Sequence, residues 1–273
     1  MSLTLNSKVE LNNGIKMPYF GLGTWKNKGK SVIDSVKWAL DIGYRMIDTA
    51  TLYGNEKEIG KAISSSNIPR EEIFITSKVW DSDQGYEKTK IAFRRSLKAL
   101  QTDYLDLYLI HWPRNLRNET WRAMQEIYKE GKVKAIGVAN FAIHHLEELL
   151  EKYEVIPAVN QVEFSPFLYR KELLEFCREN NIQFEAYSPL THGRKLDDTI
   201  LKEIAKKYNK STAQVLIRWG LQHNIIEIPK SSSKEHIEEN ALVFDFELSK
   251  EDMKTLNTLD ETFRLLYDTS TWD

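Results

Sequence analysis

Residues 105–111 read Leu-Asp-Leu-Tyr-Leu-Ile-His, an almost unbroken apolar run that ends on an ionisable ring. Side chains alternate between the two faces of a strand, so a run that is apolar on both must be covered on both. Strands of that kind belong to parallel sheets, covered by the helices that carry the chain from one strand to the next. The flanking sequence supplies such helices. Residues 86–100 put Phe93, Leu97 and Leu100 on one helical face, and residues 120–129 form a second helix.

The same alternation extends in both directions. Toward the N-terminus, strands at 20–23, 45–48 and 73–78 alternate with helices at 31–41 and 56–65. Val32, Val36, Ala39 and Leu40 share one face of the first helix, and Ile59 and Ile63 one face of the second. Toward the C-terminus, strands at 133–138, 158–162, 183–188 and 225–229 alternate with helices at 144–152, 171–179 and 197–208. Residues 211–222 add an extra helix before the last strand, and a final helix opens at Lys234. Ahead of the first strand, residues 7–11 and 15–18 flank Asn12-Asn13-Gly14, a hairpin signature. Eight strand–helix units in one style, with no Pro/Gly/Ser linker, predict a single α/β domain over residues 1–273: a (β/α)8 TIM barrel with an N-terminal β-hairpin. The competing architecture is an open doubly wound sheet. The first strand, however, lacks the G-x-G-x-x-G turn of dinucleotide-binding open sheets.

A hydrophobic fraction of 41% and a charged fraction of 29% fit a soluble globular protein with material for a core. A net charge of −2 provides no field for nucleic acid or an anionic membrane, so neither is expected as a partner. No apolar run is long enough to span a bilayer, and residues 1–16 lack the apolar centre of a secretion signal. Cys177 is the only cysteine, which excludes an internal disulfide and suits a reducing, cytoplasmic setting. No metal site is expected.

Barrels of this type carry their chemistry at the C-terminal ends of the strands. Asp48 ends one strand and Tyr53 follows it; Lys78 and His111 end the next two. All four would face one bowl. An Asp and a Lys at an apolar mouth need each other, because an unpaired buried charge is costly. A phenol beside a buried ammonium is expected to have a lowered pKa, and such a phenol can protonate a carbonyl oxygen as it becomes an alkoxide. His111 could hydrogen-bond the same oxygen. Singly, each has an ordinary reading: Asp48 as a turn cap, Tyr53 as a packing aromatic. Four on three consecutive strand ends favour a site, although spacing alone names no reaction.

The segments that close these strands are Gly21-Leu22-Gly23-Thr24-Trp25, Asp48-Thr49-Ala50, Tyr53-Gly54-Asn55-Glu56, Lys78-Val79-Trp80 and the stretch from Asp103 to Pro113. The stretch from Gly131 to Phe141, Asn160-Gln161-Val162-Glu163, Ala186-Tyr187-Ser188-Pro189-Leu190 and Ile228-Pro229-Lys230-Ser231 follow. In this order, along nearly its whole length, the chain resembles the aldo-keto reductase family. The resemblance implies hydride transfer from C4 of a nicotinamide to the carbonyl carbon of a small-molecule substrate. It implies Tyr53 as the general acid, with Lys78, Asp48 and His111 as its partners.

It also implies a cofactor cradle. Asn140 and Gln161 would hold the nicotinamide carboxamide, Tyr187 would stack on the ring, and Ser188 and Leu190 would line the pyrophosphate path. Thr24 and Trp25 would lie near the ribose and nicotinamide, Glu239 and Asn240 near the adenine. Lys230, Ser231 and Ser233 open the last helix, whose free N–H groups and positive potential suit the 2′-phosphate of NADPH (NADP+). A serine-rich helix cap is the plainer reading of the same residues, and the two are compatible. His236 stands where many members carry Arg, and a neutral imidazole lacks the permanent charge and fork of a guanidinium, which leaves room for NADH. Ala139 and Ser165 replace a Ser and a frequent His of the family pattern.

Trp25, Trp80 and Trp112 end three strands and would form an aromatic substrate wall suited to aldehydes. The short tail at 265–273 and the short loop at 116–119 predict an open, permissive pocket, and members of this length imply a monomer. Two other readings compete: a nucleotide-binding regulatory barrel with little turnover, against which the intact tetrad argues, and a different barrel enzyme using Lys78 as a Schiff-base lysine.

Overall fold

The computed structural model describes residues 3–273. An antiparallel hairpin, β1 (Lys8–Glu10) and β2 (Lys16–Pro18), comes first. Eight parallel strands follow, each bonded to the next in sequence order: β3 (Leu22–Gly23), β4 (Met46–Asp48), β5 (Phe74–Val79), β6 (Leu105–Ile110), β7 (Val133–Ala139), β8 (Val159–Glu163), β9 (Gln183–Tyr187) and β10 (Ile226–Glu227).

The two end strands also meet. The Gly21 N–H donates to the Glu227 carbonyl (3.0 Å), the Glu227 N–H to Tyr19 (2.9 Å) and the Gly23 N–H to Pro229 (3.1 Å). This seam closes the sheet into the expected barrel and excludes the open doubly wound alternative. It also explains the glycine at 23, where a Cβ would lie 2.6 Å from the Ile228 carbonyl oxygen.

The strands are joined by α1 (Gly29–Ile42), α2 (Glu56–Ser64), α3 (Tyr86–Leu100), α4 (Arg117–Lys129), α5 (Ile143–Lys152), α6 (Lys171–Glu179), α7 (Thr199–Tyr208) and α8 (Thr212–Gln222). Two more helices, α9 (Lys234–Ala241) and α10 (Lys250–Asn257), follow β10. α1 buries Val32, Val36, Ala39 and Leu40, the face its spacing marks out, and stops at Gly43 in the left-handed region (φ 115°). The extra helix α8 is capped by Ser211 and Gln214, each accepting the other's backbone N–H.

The strand period of two divides the core. Ile47, Ile75, Tyr108, Ile110, Val138 and Val162 face the helices. Met46, Phe74, Leu107, Leu109, Val159 and Ile226 form a separate cluster inside the barrel, joined by Leu11 and Met17 of the hairpin segment. The hairpin closes the floor: Asn13 donates to the Lys134 carbonyl, and Asn12 to those of Pro157 and Asn181, at the starts of β7, β8 and β9. The opposite mouth is left for chemistry. The same alternation points Asp48, Lys78, Gln161, Glu185 and Tyr187 inward.

Two local expectations need correction. Residues 116–119 are not a free loop: α4 begins at Arg117, because Arg117 and Asn118 both bind Glu148 of α5 (2.6 and 2.9 Å) and pin the first turn. The tail at 265–273 does not stay clear of the mouth. Glu163 accepts the N–H groups of Leu265 and Leu266 (2.8 and 3.1 Å), and Thr269 donates to the Asn140 carbonyl (2.7 Å). Trp272 then packs 5.5 Å from Trp112, with the Arg114 guanidinium 4.1 Å from its ring centre. Though short, the tail is tied across the rim.

Candidate active site

A cavity of about 440 Å³ opens at the C-terminal ends of the strands. Asp48, Tyr53 and His111 line it, with Trp25, Trp80, Trp112 and Tyr187 around them. β4 ends on Asp48, and a single helical turn (Thr51–Tyr53) closed by Gly54 (φ 64°) swings Tyr53 back over it. β5 brings Lys78 up from below, fully buried.

The Lys78 ammonium donates to both carboxylate oxygens of Asp48 (2.7 Å each) and to the Thr49 carbonyl (2.9 Å), and reaches the Tyr53 hydroxyl at 3.4 Å. An ammonium with three donors is saturated by these partners. Isolated, either charge would be too costly to bury; hydrogen-bonded together they are held in place.

The expected lowering of the Tyr53 pKa is reversed. Burial, and then the Asp48 and Glu185 carboxylates, push the phenol well above its usual value. Desolvation is the largest cause, and the Asp48 carboxylate opposes the field of Lys78. Tyr53 therefore holds its proton firmly. His111 is displaced the other way: burial and the Lys78 cation hold its pKa well below the usual imidazole value, so the ring is neutral. Its edge faces Trp80 (5.2 Å between centres), and its Nδ1 has no protein partner.

The groups expected to hold a nicotinamide are already engaged with one another. Asn140, in the left-handed region (φ 63°) after β7, donates to the His111 carbonyl (2.9 Å) and accepts from the Tyr187 hydroxyl (2.7 Å). Gln161 donates to Asp48 Oδ2 and to Glu185 Oε2, both at 2.9 Å. Thr24 is buried and donates to the Asp48 carbonyl (2.8 Å), while Trp25 lies 4.8 Å from the Tyr53 ring centre. Ser188 (φ 53°) lies 3.2 Å from His192 Nε2, and Leu190 and Lys230 complete that end of the cavity. Burial and the nearby cations Lys26, Arg194 and Lys230 depress the pKa of His192, so several positive groups gather at this rim.

Ser231, Ser233, His236, Glu239 and Asn240 do not line the cavity. Ser231 Oγ accepts the Ser233 N–H (3.1 Å), and Ser233 Oγ accepts the His236 N–H (3.4 Å), which caps α9. His236 is exposed, Asn240 is buried, and the Glu239 carbonyl accepts from Gln214 (3.0 Å). Among the described residues, no group of three or more His, Cys, Asp and Glu side chains could hold a metal ion.

Three features escaped the sequence reading. Glu185 is completely buried, and its alternation with Tyr187 along β9 was the signal that placed it inside the barrel. Leu266 and Tyr267 of the tail wall the cavity, and only their apolar character hinted at this. His192 reaches the rim, beside Lys26 and Lys230, as an uncharged ring, through a turn that no local pattern marks.

Comparison with known proteins gives consistent results. A model described as the aldo/keto reductase family matches residues 19–261. The chain is 54% identical over 267 residues to a glyoxal reductase of Bacillus subtilis (strain 168), covering 97% of each. It is similar to the crystal structure of an aldo-keto reductase from a Medee basin deep-sea metagenome library, with a TM-score of 0.95, 49% identity, and coverage of 97% of this chain and 99% of that one. A crystal structure of an aldo-keto reductase complexed with NADPH matches with a TM-score of 0.92 and 35% identity, over 98% of this chain and 91% of that one.

Proposed function

The chain belongs to the aldo/keto reductase family, and on that premise we propose that it reduces small aldehydes and ketones to alcohols with NADPH, dicarbonyls such as glyoxal among them. The observation that carries this reading is the junction of the Lys78–Asp48 pair, the Tyr53 hydroxyl and the neutral His111 ring in one cavity.

The residues fit a nicotinamide nucleotide. An apolar-walled chamber with Tyr187, Asn140 and Gln161 at its base leads to a rim carrying the cations Lys26 and Lys230, with the neutral His192 ring beside them, which suits a flat ring tethered to phosphates. The bound cofactor would supply hydride; the protein supplies orientation and electrostatics. Asn140, Gln161 and Tyr187 would hold the ring, and Lys230 with the start of α9 the 2′-phosphate. His111 would donate one hydrogen bond to the substrate oxygen without carrying charge, and Tyr53 would give its proton to that oxygen as negative charge develops there. The raised pKa keeps the phenol protonated at neutral pH, and an alkoxide is basic enough to take the proton from it. Trp25, Trp80 and Trp112, flanked at the rim by Tyr267, would restrict water and favour compact substrates.

We further propose one domain over residues 1–273, a monomer, and residence in a reducing compartment such as the cytoplasm, which the single buried Cys177 suits. The decisive experiment follows NADPH oxidation by its absorbance with glyoxal, aromatic aldehydes, ketones and sugars, and repeats it with NADH. Turnover of glyoxal with NADPH supports the proposal. Tight NADPH binding without turnover of any carbonyl would favour the regulatory reading instead.

A further inference from the structure

Glu185 occupies the centre of β9, opposite Gln161 of β8 and Ile226 of β10. It is completely buried, one layer beneath the cavity. Its Oε2 accepts from the Gln161 amide (2.9 Å), and the same amide nitrogen donates to Asp48 Oδ2 (2.9 Å). Its Oε1 has no partner. A valine here would pack without that desolvation cost, so the carboxyl is an expense to the fold located next to the candidate site.

We propose that Glu185 is a positioning and charge-setting residue: through Gln161 it holds Asp48 in place, and its own charge sets how far the site favours the cationic, oxidised nicotinamide over the neutral, reduced one. The inference rests on the reductase reading above.

The charges of Lys78 and Asp48 cancel. With Glu185 protonated the buried cluster is neutral; with Glu185 ionised it carries one negative charge in a water-poor interior, where a cation nearby is stabilised. The groups facing Glu185 are Asp48 on β4, Lys78 on β5 and Tyr53 above them, and the Glu227 carboxyl of the neighbouring β10 is close enough to feel its charge. Tyr53 is held protonated well into the alkaline range, and His111 stays neutral well below neutrality. Glu227 points the other way, its Oε1 lying against Gly220 of α8 on the outer face, where a Cβ would meet it at 1.6 Å. Burial and the Asp48 carboxylate push Glu185 up to about 8, so its charge changes within an accessible pH range.

The test needs no turnover. Dissociation constants of NADP+ and NADPH are measured by quenching of tryptophan fluorescence at pH 6.5 and pH 9 in wild type, E185Q, E185L and E227Q. Taking the ratio of the two constants cancels everything common to both ligands, including titration of the 2′-phosphate and of Lys230. In wild type the ratio should move toward NADP+ by about three- to tenfold on raising the pH. E185Q keeps an acceptor for Gln161 but cannot ionise, so its ratio should be flat, whereas E227Q should behave as wild type. E185L removes the acceptor as well, and should lower kcat with glyoxal below that of E185Q, which preserves the hydrogen-bond chain. A wild type that binds both cofactors with a pH-independent ratio overturns the inference alone. So does an E185Q variant that retains the shift, or an E227Q variant that loses it. Failure of wild type to bind either cofactor overturns the reductase reading and this inference with it.

Discussion

The Lys78 ammonium lies 2.7 Å from each carboxylate oxygen of Asp48, and both residues are buried beneath the Tyr53 hydroxyl. This pair anchors the site.

Tyr53→Phe removes only the hydroxyl. NADPH affinity should change little, and carbonyl reduction should fall by about 10²-fold or more, the usual cost of losing a general acid. Steady-state kinetics with glyoxal decide; wild-type turnover in the variant would remove Tyr53 from the mechanism.

Asp48→Asn leaves Lys78 in place but removes a carboxylate that raises the Tyr53 pKa. The phenol should therefore ionise at lower pH, and the alkaline limb of kcat should move toward neutrality. Lys78→Met should abolish turnover. It should also destabilise the fold by about 3–5 kcal/mol, because it strands a buried carboxylate. The double variant should be less destabilised than Lys78→Met, which urea titration would show; equal stabilities would mean that the pair is not energetically coupled.

Lys230→Met should weaken NADPH by about ten- to a hundredfold and NADH little, since charge-assisted hydrogen bonds contribute about 1.5–3 kcal/mol. His236→Arg should widen the preference for NADPH at pH 7.5 by adding a permanent cation at the exposed start of α9. Equal affinities of wild type for NADPH and NADH would remove the 2′-phosphate site.

His145 gives a pH dependence of stability. Its buried Nδ1 accepts the Ala142 N–H (3.1 Å) at the start of α5, and burial, with the His144 and Arg117 charges, brings its pKa to about 4. The folded state therefore binds fewer protons than the unfolded state between pH 6.5 and 4. Stability should be full above that window and decline as the pH falls through it. The melting temperature of His145→Gln should fall less steeply from pH 7 to pH 4.5; parallel curves would count against His145 as the titrating group.

Glu163→Gln weakens the acceptor that binds Leu265 and Leu266. KM should rise more for aromatic aldehydes, which need the Tyr267 wall, than for glyoxal. A uniform change across substrates would place the tail outside the binding contacts.

The order of strands and helices was legible in the sequence because each apolar run carries its own period, and four strand-end residues were legible because barrel geometry says which positions face the mouth. The sign of the Tyr53 shift was not. It depends on a balance between Lys78, Asp48 and Glu185, and the last belongs to a strand remote in sequence. The tail was misread for a related reason: its hold on the rim is made by Glu163, Asn140 and Trp112, none of them near it along the chain. Local pattern reports elements, while charge balance and rim contacts are set by non-local neighbours.

The seam between β3 and β10 joins segments separated by roughly 200 residues of chain, and the entropy of closing a loop grows with its length. Thr24 and Trp25 lie on one bank of the seam, Ile228 and Lys230 on the other, and all four line the cavity. The chamber therefore has no complete wall until the first and last strands have met, so a partly folded chain has nowhere to grip a nucleotide. A ligand lying across both banks would act as a stitch, slowing the reopening of the barrel at a joint held by three backbone hydrogen bonds.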